Sequence, residues 1–152
     1  MTLRRALAQA EEIVAGAALV VVVLAVCWGV ITRYVTAQPA AWAGEVASLA
    51  FAWCVFVGAA AVAKRGGHVS IDMLTAAFPG PVQRVIRLGA GAVAIGFCAV
   101  AAVLAFRFSL ANIDNPSAVL RLPLTVLYFA PATGFALMAL RLAQAMPRVG
   151  AR

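Results

Sequence analysis

Apolar residues along this chain collect into four long runs, parted by short breaks that hold the charges and most of the prolines. Ile13–Thr32, Val46–Ala63, Leu88–Phe106 and Leu122–Leu140 contain no Asp, Glu, Lys, Arg or His and are 18–20 residues long. At about 1.5 Å per helical residue each reaches roughly 27–30 Å, the thickness of a bilayer's hydrocarbon core. A helix is the open-chain structure that crosses lipid with its backbone N–H and C=O groups paired. The pattern therefore predicts an all-α integral membrane protein with four transmembrane helices. The spans fall at about 13–32, 43–63, 86–106 and 122–141, within a single membrane domain covering 1–152.

The breaks carry their own signals. Pro79-Gly80-Pro81 stops the chain before the third helix, with Pro81 suited to a first helical turn, and Asn115-Pro116 marks the last hairpin loop. Pro131 lies inside the fourth run, where its ring and missing N–H predict a kink. Thr2–Glu12 reads as an interfacial lead-in, with Leu3, Leu7 and Ala10 on one face and Arg4, Arg5, Glu11 and Glu12 on the other. Between the second and third spans, Ser70 can cap a short amphipathic interfacial helix in which Ile71, Leu74 and Phe78 recur at helical spacing. An ordinary loop is the other reading of that segment. The first run is longer than the apolar core of a cleaved signal and ends at Arg33, so it is expected to be a retained helix.

Composition strengthens the membrane reading. Hydrophobic residues make up 65 % and charged residues 11 % of the chain, with a mean hydropathy of +1.02; soluble domains carry about 25 % charge. The net charge of +7 comes from cations scattered at span ends, which argues against a nucleic-acid partner. Nine of the twelve Lys and Arg flank the termini and the central loop, while Arg33, Arg107 and Arg121 occupy the two hairpin loops. The positive-inside bias thus predicts a multi-pass protein with both termini cytoplasmic. Tyr34, Trp42, Phe106 and Phe108 lie at the opposite, outer level, where aromatic rings favour the interface.

The expected chemistry is sparse. Cys27, Cys54 and Cys98 stand singly in apolar runs, with no metal or disulfide spacing. His68 is the sole histidine, which leaves bis-histidine haem ligation without a second ligand. No catalytic residue, cofactor or metal site is expected. A proton-coupled exporter needs an acid within the membrane; Glu45 is the nearest candidate, but it sits at the outer mouth of the second helix. It reads first as a negative charge near a helix N-terminus, and next as a partner for Arg33, Arg107, Arg121 or another subunit. Gly89, Ala92, Gly96 and Ala99 form a strip of small side chains on the third helix, for close packing within the bundle or against a larger partner.

One set of residues carries a family pattern. Arg33-Tyr34, Trp42-x-x-Glu45, Trp53 and Phe56-x-Gly58-Ala59-Ala60 are followed by Lys64-Arg65-Gly66-Gly67-His68-Val69 and Ile71-Asp72-x-Leu74. Leu122-Pro123, Tyr128 and Gly134 leading to Arg141 complete it. This closely resembles the small membrane subunit, the DctQ family, of tripartite ATP-independent periplasmic (TRAP) transporters. The resemblance implies a non-catalytic subunit in a bacterial inner membrane. It would brace a large multi-span membrane subunit, with a periplasmic solute-binding protein delivering an organic acid for sodium-coupled uptake. It also makes Trp42, Glu45, Arg65, His68 and Asp72 candidates for subunit or lipid contact, beside the small-residue strip. Arg65 also reads as a positive-inside anchor, and His68 as an interfacial residue orienting the short surface helix. Family members often have two adjacent acids where this chain has Gly44-Glu45. The competing expectations are the small subunit of a tripartite tricarboxylate transporter, a self-sufficient four-helix exporter and a membrane anchor for a redox complex.

Overall fold

The computed structural model of the protein describes residues 3–64 and 79–150. Four helices run in chain order: α1 (Leu3–Tyr34), α2 (Ala41–Lys64), α3 (Gly80–Ala111) and α4 (Thr125–Gly150). Each contains a stretch long and apolar enough to cross a membrane, Gln9–Tyr34, Ala41–Ala63, Val82–Ala111 and Thr125–Met146 respectively. The 32 residues of α1 and of α3 reach about 48 Å, well beyond a hydrocarbon core of about 30 Å. The expected surface helix around Ser70–Phe78, with Arg65, His68 and Asp72, lies outside the described residues.

Two local readings change. The expected lead-in before the first span is instead continuous with it: α1 is unbroken from Leu3. The fourth helix begins at Thr125 and not at Leu122, because Leu122–Leu124 belong to the preceding loop, where Ser117 N–H donates to the Leu122 carbonyl (2.7 Å) and Leu124 N–H to that of Asn115 (2.9 Å). Helix α4 then continues through Pro131, with the Thr133 hydroxyl against the carbonyls of Phe129 and Ala130. At the start of α3, Pro79 is the cap and Pro81 lies in the first turn, where a missing N–H costs nothing.

The helices do not close into a ring. α1 packs on α2, α2 on α4, and α4 on α3, so the spatial order is α1–α2–α4–α3. The second span is the most buried and the outer first and third are the least. The core of the row is mostly alanine: Ala25, Ala43, Ala60, Ala61, Ala63, Ala130 and Ala132 are buried. Lipid gives no hydrophobic drive for helix pairing, so close van der Waals approach between small side chains carries it. The tightest approach is at Gly134 of α4. A Cβ there would lie 2.5 Å from the Phe56 Cβ and 2.7 Å from the Phe56 carbonyl oxygen, so only glycine fits. Phe56 and Phe135 pack beside it with their rings tilted by 59° and their centroids 5.5 Å apart.

Candidate functional site

Two hydroxyl-based joints build the end where the hairpins turn. In the α1–α2 hairpin the buried Thr32 donates to the Gly29 carbonyl (3.1 Å), accepts from Ala40 N–H (3.2 Å), and offers its own carbonyl to Gln38 N–H. That brings Trp42 and Glu45 into the first two turns of α2. In the α3–α4 hairpin, Ser109 Oγ donates to the Thr125 carbonyl (3.1 Å) and Thr125 Oγ1 to the Ser109 carbonyl (3.0 Å). This reciprocal pair joins the C-terminal turn of α3 to the first residue of α4.

Glu45 joins the two hairpins. Its carboxylate accepts from Ser117 Oγ (2.8 Å), Val119 N–H (2.7 Å) and Leu120 N–H (2.9 Å). Ser117 Oγ in turn accepts from Leu122 N–H (3.2 Å), and an isolated bridge pairs Pro116 with Pro123. The loop closes around the carboxylate with successive amides pointing inward, a backbone cradle suited to an anion. Arg121 follows in the left-handed region, φ 56°. Thus Glu45 pairs with the loop's amides and hydroxyl. Among the described residues it forms no ion pair with Arg33, Arg107 or Arg121. Beside it a cleft of about 460 Å³ opens between α2, α4 and the loop, with Gly44, Ser48, Leu49 and Leu127 in its walls.

At the other end a second carboxylate is buried. Glu11, 6 % exposed, accepts from Arg141 Nη2 at 2.5 Å and Nε at 3.0 Å, both on Oε1. Its Oε2 is buried without a hydrogen-bond partner. The polar-face position expected for Glu11 is therefore corrected: the side chain turns inward and ties α1 to α4. Neither Glu11 nor Ser117 was singled out as a contact from sequence. A usable signal was present in the acidic pair Glu11-Glu12 before the first span and in Arg141 directly after the fourth.

The other predicted residues separate. Trp42 is 41 % exposed, three residues before Glu45 on α2. Gly89, Ala92, Gly96 and Ala99 are all exposed, and a Cβ at Gly89 or Gly96 would meet nothing within 4 Å. The strip therefore packs against no other described part of this chain, and the small residues that hold the helices together lie mainly on α2 and α4, with Ala25 and Gly29 contributed by α1. Among the described residues no three His, Cys, Asp or Glu side chains come together in a form that could hold a metal.

Residues 22–149 match the family profile described as the DctQ component of tripartite ATP-independent periplasmic transporters. The chain belongs to the DctQ family. Its similarity to individual members is partial. It is 36 % identical over 106 residues to the C4-dicarboxylate TRAP transporter small permease protein DctQ of Rhodobacter capsulatus, covering 68 % of this chain and 46 % of that protein. The protein of the same description from Pseudomonas aeruginosa is 31 % identical over 83 residues, 55 % of this chain and 38 % of that one. The sialic acid TRAP transporter small permease protein SiaQ of Vibrio cholerae is 30 % identical over 77 residues, 51 % of this chain and 44 % of that one. The chain thus spans less than half the length of these curated relatives. Within the DctQ match fall Glu45, its loop, Gly134 and Arg141, whereas Glu11 lies before it.

Proposed function

We propose that this chain is the non-catalytic small membrane subunit of a TRAP-type secondary transporter. In this reading it braces a large multi-span subunit during sodium-coupled, binding-protein-dependent uptake of an organic acid. The observation that carries it is the open row α1–α2–α4–α3, whose outer helices leave most of their apolar surface uncovered. Such a row presents a broad wall, and the exposed small residues of α3 allow another helix to approach closely. Relatives named for C4-dicarboxylate and sialic acid transport support a carboxylate-bearing solute. Selectivity would belong to the large subunit and the periplasmic solute-binding protein.

The placement follows the charges. The hairpin end, with Arg33, Arg107 and Arg121, faces the periplasm, and the Glu11–Arg141 end faces the cytoplasm of a bacterial inner membrane. A self-sufficient exporter is disfavoured, because Glu45 is occupied by three hydrogen bonds at the end of the row. Affinity purification in mild detergent tests the proposal. The expected result is recovery with a large multi-span protein, and no transport by this chain alone in liposomes. Recovery as a homodimer that transports unaided would refute it.

A further inference from the structure

The cleft beside the Glu45 loop is used by nothing described above. Leu49, Leu120, Leu124 and Leu127 give it hydrocarbon walls, and two of its polar side chains, Glu45 and Ser117, are bonded to each other. Its volume of about 460 Å³ suits a small apolar ligand, for which cavities of roughly 300–1,000 Å³ are usual.

Its position and rim narrow the choice. The cleft lies at the first turns of α2 and α4, where the apolar stretches begin at Ala41 and Thr125. Trp42 and the largely exposed Tyr34 stand at the same end, the level at which amphipathic rings meet headgroups. Arg121 is exposed and sits between two lining residues, Leu120 and Leu122. Among the described residues no carboxylate pairs with Arg121, and Glu45 is taken up by the loop. A hydrocarbon slot beside an uncompensated cation is complementary to an amphiphile with a negative head.

We propose that this cleft binds one anionic phospholipid, with an acyl chain between α2, α4 and the loop and the headgroup phosphate against Arg121. The Glu45 cradle fixes the loop and so sets where that guanidinium stands. The site is independent of which transporter the chain serves.

The test uses the full chain in mild detergent, given phosphatidylglycerol or phosphatidylcholine with the same acyl chains, and counts retained lipid by native mass spectrometry. One phosphatidylglycerol is expected to be held about fivefold more tightly than phosphatidylcholine, the preference one surface arginine supplies. Arg121→Gln should abolish that preference. Gly44→Leu should abolish tight binding of either lipid, since a Cβ at Gly44 meets nothing within 4 Å and the added side chain enters the cleft. Equal retention of the two lipids by the unmodified chain, or undiminished retention by Gly44→Leu, would overturn the site. A benzophenone side chain placed at Ser48 gives a second readout in intact membranes. A lipid adduct supports the proposal, and an adduct to a polypeptide refutes it.

Discussion

At one end of the helix row Glu45 reaches backbone amides more than seventy residues further along the chain; at the other, Glu11 reaches the guanidinium of Arg141. Both contacts tie the first hairpin to the second, yet their physics differs. Glu45 uses both oxygens, and two of its donors are backbone N–H groups that no substitution short of proline removes. Glu11 spends one oxygen on a side chain and leaves the other buried without a partner. A buried ion pair can be exchanged for apolar packing at little net cost, whereas breaking half of it is severe. The Glu11–Arg141 tie is therefore replaceable as a pair, and the loop-side tie is not.

Between the two ties runs the α2–α4 seam, the main packing between the hairpins, so the largest effect comes from breaking it. Gly134→Leu forces a side chain into the Phe56 backbone and should leave no monodisperse folded protein in size-exclusion chromatography. Next, Arg141→Ala strands the buried Glu11 carboxylate and should cost about 3 kcal/mol in detergent unfolding titrations. The double change Glu11→Leu with Arg141→Leu should recover most of that loss; if it is no more stable than Arg141→Ala, the pair is not replaceable and the contrast fails.

Glu45→Ala should act more locally. Amide exchange at Val119 and Leu120 should accelerate by at least about tenfold, the scale set by losing a charged acceptor, while the Glu11 end stays protected. Exchange that rises equally at both ends would show that the two ties are one cooperative unit. Glu45→Gln keeps a carbonyl acceptor and should lower uptake by the assembled transporter by less than about tenfold. Complete loss with intact assembly would mean that the carboxylate handles charge during transport. The smallest effect on the isolated chain is expected from Gly96→Leu, whose side chain enters open space and should leave unfolding unchanged while lowering recovery of the large partner.

The helices were legible because apolar runs of 18–20 residues admit few other structures. The start of the last helix was harder to place. Leu122, Pro123 and Leu124 are apolar and extend the run, but they are held in a loop by Asn115 and Ser117, and that pairing leaves no mark in hydropathy. Glu45 was recognised as the notable outer acid, but its donors were not, because backbone amides are present at nearly every residue and carry no compositional signal. The small-residue strip on α3 was visible as a pattern, although pattern alone does not say which surface it meets. Gly134 sat within the family-like segment, and its need for glycine emerges only from the crossing with Phe56.

The neighbour order α1–α2–α4–α3 bears on biogenesis. Each sequential hairpin can enter the bilayer as a unit during synthesis, with its turn already closed by Thr32 or by Ser109 and Thr125. The central seam joins helices that are not consecutive, so it waits until the final span has left the ribosome and met the earlier pair laterally. Closure of the 116–124 loop on Glu45 then reports that both insertion products have found each other.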